Sequence, residues 1–121
     1  MPAIDRQFAE RFAHEWIEAW NAHDLARILA HYADDFEFSS PRIVELMGVA
    51  AGRLKGKDAI RPYWAKALAR TPNLKFELHA VLTGIDSLVL YYENATGRIA
   101  AEVFEFEADG LVRRSSAHYG P

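Results

Sequence analysis

The chain has 121 residues, a formal net charge of −3 and no cysteine. That length suits one domain, residues 1–121, burying roughly two-thirds of its unfolded surface. The composition excludes disulfides, thiolate nucleophiles and cysteine-based metal sites, and with no basic stripe it argues against nucleic acid as a partner. Half of the residues are hydrophobic and 12% aromatic, which leaves apolar surface for a pocket, an interface, or both.

The N-terminus mixes acidic and basic residues early and does not read as a signal peptide. No apolar stretch is long enough to span a membrane. A cytoplasmic protein is the expectation. The first element is an amphipathic helix from about Ala3 to Trp20, with Ile4, Phe8, Phe12, Trp16 and Trp20 at i, i+4 steps. Asn21-Ala22-His23 breaks it, and Asp24 caps a short second helix carrying Leu25, Ile28, Leu29 and Tyr32 on one side. A strand follows over Phe36–Ser40, ended by Pro41. Residues 41–56 form a long connection, too apolar for a solvated loop. It is expected to cover a pocket mouth as a lid, with Leu46 and Met47 pointing inward, or to fill a core edge. Gly56-Lys57-Asp58 opens a third helix with Ile60, Trp64, Ala67 and Leu68 on one face, and Thr71-Pro72-Asn73 stops it. Four strands complete the chain, near 74–83, 87–95, 98–108 and 111–119.

Thr96-Gly97 and Asp109-Gly110 read as two-residue hairpin turns. Such turns set the register, and the register sorts the side chains. They place Tyr91 opposite Glu102, Glu93 opposite Ala100, Glu102 opposite Ala117, Phe104 opposite Ser115 and Ala100 opposite Tyr119. One face then carries Tyr91, Glu93, Glu102, Phe104, Ser115, Ala117 and Tyr119. The other carries Leu90, Tyr92, Ile99, Ala101 and Val103. Three short helices cannot cover both, so a second copy of the chain is expected against the outer face.

No glycine-rich phosphate loop, Gly-x-Ser-x-Gly elbow or His-Glu-x-x-His pair occurs. No histidine stands at metal-ligand spacing with another, so no metal is expected. Arg113 and Arg114 are neighbours on one strand and are expected to point to opposite faces.

Glu102 is the informative residue. It lies mid-strand on an apolar face and must be paired, hydrogen-bonded or protonated there. Glu93 is read as a second carboxylate on the same face, an arrangement that separates pKa values and suits acid–base work. Arg98 or Trp16 satisfying Glu102 is the structural alternative. Trp16, Tyr32, Trp64, Tyr91 and Phe104 are candidate pocket walls, and equally ordinary core. Tyr119 can reach the rim. Ser40 can donate into the pocket or cap a turn.

Three runs, Glu15 to Leu25, Tyr32 to Phe36 and Leu54 to Ile60, together with the closing turn Ala108 to Val112, resemble the nuclear-transport-factor-2-like superfamily in its SnoaL-like branch. The resemblance covers nearly the whole chain. It implies an α+β cone: a curved antiparallel sheet wrapped around an N-terminal helical layer, with a central pocket and frequent dimers through the outer sheet face. Its members include ketosteroid isomerases, polyketide cyclases, epoxide hydrolases and dehydratases, whose enzymes typically need no cofactor. By this resemblance Ser40 stands where the isomerase base, an aspartate, is found, and Trp16 stands for the oxyanion tyrosine. Glu102 stands for the neutral carboxylic acid. Ser115 and Ala117 stand where cyclases carry a histidine and an aspartate. The isomerase and cyclase bases are therefore not carried over, whereas the Glu102 position is kept in kind.

The expectation is a cofactor-free protein binding a small, largely apolar molecule, with proton transfer by Glu102, modulated by Glu93, on a carbonyl-bearing or cyclic substrate. The alternative is a non-catalytic ligand-binding or dimerisation module.

Overall fold

The computed structural model describes residues 4–121, so the expected helical start at Ala3 lies outside the described residues. Helix α1 spans Arg6–Asn21, and the Asp5 carboxylate caps it by accepting the Gln7 N–H at 3.0 Å. Its buried stripe contains Phe12, Trp16 and Trp20, as the spacing requires. Helix α2, Leu25–Leu29, is capped by Asp24. Strand β1 covers Tyr32–Ser39.

The connection has regular structure of its own. It folds as helix α3, Pro41–Met47, then strand β2, Arg53–Lys55. Ser40 caps α3 and Gly48 ends it in the left-handed region at φ 68°. Ile43 is its fully buried residue, and Leu46 packs against the core. Met47, expected to point inward, is exposed; it is the last residue of α3, just before the chain turns away at Gly48. Helix α4 spans Lys57–Arg70, and strands β3, β4, β5 and β6 span Glu77–Thr83, Ser87–Glu93, Ile99–Phe106 and Val112–Tyr119.

The strands form one open sheet in the order β2-β1-β6-β5-β4-β3. The fold is α+β and cone-like, and the expected wholly antiparallel sheet is corrected to a mixed one. β1 and β6 run parallel, while every other neighbouring pair is antiparallel. The meander from β3 to β6 returns its last strand alongside β1 in the same direction. Helix α1 packs into the curved face through aromatic contacts, Phe8 on Phe106 at 5.1 Å and Phe12 on Phe104 at 4.9 Å between ring centres.

The β5–β6 register is as expected, with Glu102 opposite Ala117, Phe104 opposite Ser115 and Ala100 opposite Tyr119. The β4–β5 register is not. Leu90 faces Glu102, Tyr92 faces Ala100, and Tyr91 faces Ala101. The turn holds three residues beyond Asn94, closing with the Gly97 N–H on the Asn94 carbonyl and Gly97 at φ 84°. One extra loop residue slides the pairing by one and reverses the faces of β4. Leu88, Leu90 and Tyr92 therefore face inward, and Val89, Tyr91 and Glu93 outward.

A bulge at Arg113 gives a second correction. Arg113 and Arg114 do not point to opposite faces. Both reach Glu105 on the outer side, at 3.5 and 3.9 Å, because a bulge spends two residues on one alternation.

Candidate functional site

Glu102 lies mid-strand on the inner face and is 4% exposed. The Tyr92 hydroxyl donates to its Oε1 at 3.1 Å, and the Ser115 hydroxyl donates to its Oε2 at 3.2 Å. Neither Arg98 nor Trp16 satisfies it. Arg98 donates to the Gly120 carbonyl and lies over the Tyr119 ring, and the Trp16 Nε1–H donates to the Tyr32 hydroxyl. Burial pushes the Glu102 carboxyl up to about 7, against the pull of its two hydrogen bonds, and no cation contributes. Two neutral donors cannot replace the water that an ionised carboxylate loses on burial. A carboxyl near 7 gives up or takes a proton readily at neutral pH.

Burial also raises the Tyr92 and Tyr119 phenols, and the charge of Glu102 adds to both. They stay protonated donors at neutral pH. The Ser40 hydroxyl stands 3.5 Å from that of Tyr119.

Glu102 forms part of the wall of a cavity between α1, α4 and the sheet, with about 470 Å³ of empty space counting its open mouth. Trp16, Trp20, Trp64, Tyr63, Tyr92 and Tyr119 are on the wall. A second hollow of about 550 Å³ shares Arg42, Thr71, Leu74, Phe76, Tyr92 and Tyr119 with the first, so the two form one cleft. Phe76 is held there from α1. The Asn21 side chain donates to its carbonyl at 3.0 Å and accepts its N–H at 2.7 Å.

Of the wall residues expected from sequence, Trp16, Trp64 and Tyr119 line this cleft. Tyr32, Phe104, Ser40 and Ser115 are buried behind it, Tyr32 under Trp16, Phe104 against Phe12 and Trp16, Ser40 at the cap of α3, and Ser115 beneath Glu102. Tyr91 and Glu93 are on the opposite face. Tyr91 is 40% exposed, and Glu93 pairs with His79 at 2.6 Å. Glu93 is therefore no neighbour of Glu102.

Sequence reasoning missed Tyr92, Tyr63 and Arg42. Tyr92 was legible from Asn94-x-x-Gly97, the signature of a four-residue turn with asparagine first and glycine last. Tyr63 completes the i, i+3, i+4 set with Ile60 and Trp64. Nothing in the sequence marks Arg42.

The cleft walls hold one carboxylate and no histidine, a poor set for a metal. Among the described residues, metal-binding side chains gather within 4.8 Å at Glu77, His79 and Glu93. That group is on the outer face, where the bulge between Leu78 and Ala80 re-aims His79.

The SnoaL-like domain family matches residues 13–115. The chain is a SnoaL-like domain protein. A SnoaL-like protein of unknown function from Burkholderia thailandensis is 50% identical over the full length of both chains, with a TM-score of 0.95. A cystatin-like-fold protein of unknown function from Methylobium petroleophilum is 20% identical, covering 99% of this chain and 80% of that one, with a TM-score of 0.75. TerC, crystallised with polyporic acid, is 14% identical over 93% of this chain and 92% of its own, with a TM-score of 0.76. The last two likenesses show the fold alone. No curated protein matches the chain. In this SnoaL-like protein the position of Ser40 is spent on a helix cap, and Ala117 faces Glu102 without a polar group. Of these three, Ser115 alone hydrogen-bonds the Glu102 carboxyl.

Proposed function

We propose that this SnoaL-like protein binds a small, largely apolar molecule in the cleft and moves a proton on it, with Glu102 as the acid–base group. The reaction is of isomerase, cyclase, dehydratase or hydrolase type, and it needs no cofactor. The observation that carries the reading is a buried carboxyl near 7, held by two donors on the wall of an aromatic cleft. Tyr92 and Ser115 fix its orientation. The aromatic wall excludes water, so a charge developing on the substrate feels the carboxyl strongly.

The test is a carbon-13 NMR titration of the Glu102 carboxyl beside the stability of Glu102→Gln. In the folded protein the group keeps its proton up to about 7, against an ordinary value of 4.5. Between these values the unfolded chain has released a proton that the folded chain still holds. Stability therefore falls as pH rises through this window, and the ionised group opposes folding above it. Glu102→Gln is expected to match the wild type near pH 4. Above pH 7 it should exceed it by on the order of 3 kcal/mol, while losing any proton-transfer activity. A titration midpoint at or below the ordinary value overturns the reading.

A non-catalytic ligand-binding or dimerisation module is the rival, favoured by Ser40 and Ala117 standing where the family's enzymes carry acids. For either reading we propose a homodimer through the outer sheet face. Leu90 and Tyr92, expected there, are buried inside, and the face instead offers Val89, Tyr91, Ile99, Ala101 and Val103. Ile99→Glu is expected to convert dimer to monomer in light scattering, and a wild-type monomer at micromolar concentration refutes the dimer. No helix among the described residues is long and apolar enough to cross a membrane, and a cysteine-free chain suits the cytoplasm.

A further inference from the structure

The cleft walls hold one carboxylate, Glu102, and one cation, Arg42. Arg42 projects from the first turn of α3 and lines both hollows. It is half-buried, yet among the described residues its guanidinium enters no ion pair and lies over no aromatic ring. Most of the other arginines do pair: Arg6, Arg27, Arg53, Arg61, Arg113 and Arg114 each meet a carboxylate. Trp20, 6% exposed on the cleft wall, leaves its indole N–H buried with no acceptor. The outer hollow contains no acidic residue at all, in a chain with 17 aspartates and glutamates against 14 lysines and arginines. Glu102 forms no ion pair with Arg42. It is influenced by burial and by its two hydroxyl partners, and no cation acts on it.

A half-buried cation without a counter-charge, on the wall of a cleft, calls for oxygen atoms from outside the chain. A planar carboxylate matches the guanidinium fork with two parallel bonds, where a neutral amide offers one acceptor. We propose that the ligand of this cleft is an organic acid, its carboxylate seated on Arg42 at the mouth and its apolar body directed inward along the tryptophans toward Glu102. This rests on the reading of the cleft as a small-molecule site, and it names the class of molecule that the site takes. The clamp would set the register of the ligand, so that the carbon brought to Glu102 lies a fixed length from the acid group. The aromatic wall alone has no means of imposing that.

The experiment uses 4-phenylbutanoate and its neutral analogue 4-phenylbutanamide, two probes of one shape, titrated calorimetrically into the wild type and into Arg42→Gln at low ionic strength. The wild type is expected to bind the acid roughly ten- to a hundredfold more tightly than the amide, the usual advantage of a charge-assisted over a neutral contact. Arg42→Gln is expected to remove that preference by weakening the acid and leaving the amide where it was. Equal affinity of the wild type for acid and amide overturns the inference and leaves the small-molecule reading standing. So does an undiminished preference in Arg42→Gln. Binding of neither probe up to millimolar concentration overturns both together. Retained amide binding alongside loss of the preference shows that the variant is intact.

Discussion

Two hairpins of this sheet close with the same turn and reach opposite results. In each, a glycine in the left-handed region donates its N–H to the carbonyl three residues back: Gly97 to Asn94 at φ 84°, and Gly110 to Glu107 at φ 86°. Each turn slides its strands one residue from the pairing of a two-residue loop. The second hairpin then inserts Arg113 as a bulge, and the slide is cancelled before β5 reaches Phe104. The first hairpin runs from Glu93 to Ser87 without a bulge, and its slide persists. A turn alone therefore does not set register; a turn and its bulges do so together. The consequence is chemical. The uncancelled slide brings the Tyr92 hydroxyl to Glu102 and sends Glu93 away, and the cancelled slide brings Ser115 to the same carboxylate.

The largest effect expected on this comparison comes from deleting Arg113 and Arg114 together, since deleting Arg113 alone leaves Val112, Arg114 and Ser115 in regular alternation. With Val112 joined directly to Ser115 the alternation of β6 reverses, Ser115 and Ala117 turn outward, and Ser116 and His118 are driven into the aromatic core. A loss of more than about 4 kcal/mol, or failure to fold, is expected in urea denaturation. Arg113→Ala keeps the extra residue and gives up only half-exposed ion pairs to Asp86 and Glu105, so its cost should stay within about 1 kcal/mol. A double-deletion variant as stable as the wild type would show that the β5–β6 register does not fix which residues face the core.

Next in size is Tyr92→Phe. It removes a donor that favours the ionised form, so Glu102 should titrate higher than its value near 7, at a stability cost of about 1 kcal/mol. Tyr91→Phe, one residue away on the other face, should leave the Glu102 titration where it is. If the two variants exchange effects, the β4 faces are wrong. The smallest effect belongs to Gly97→Ala. A methyl there meets nothing closer than Glu93 Oε2 at 3.7 Å, so the cost is that of the left-handed backbone alone, about 1 kcal/mol in the urea midpoint.

Helix periodicity was legible because burial repeats every 3.6 residues over several turns. α1 runs over Arg6–Asn21 behind its Asp5 cap, and the Ile60–Trp64 face of α4 was read directly. The β5–β6 pairing was also legible, since turn and bulge offset each other and leave the simple rule intact. The β4 faces were not, because tyrosines at both 91 and 92 make the hydrophobic pattern indifferent to a one-residue slip. Glu102 stood out as a charge on an apolar strand, while its partners depended on the register and followed it. α3 and Arg42 escaped because a seven-residue helix has too little periodicity to read, and an arginine beside a proline looks like any surface residue.

The three tryptophans of the chain, Trp16, Trp20 and Trp64, all belong to the wall of one cleft. Trp20 touches both of the others, with ring centres 6.0 Å and 5.4 Å apart at inclined angles. Indoles that close share their electronic excitations, so the protein carries a coupled chromophore wrapped around its own cavity. Its near-ultraviolet circular dichroism should be dominated by that trio, and should collapse when side-chain packing is lost even where the helices survive. Any molecule entering the cleft writes directly on that spectrum, with no label attached.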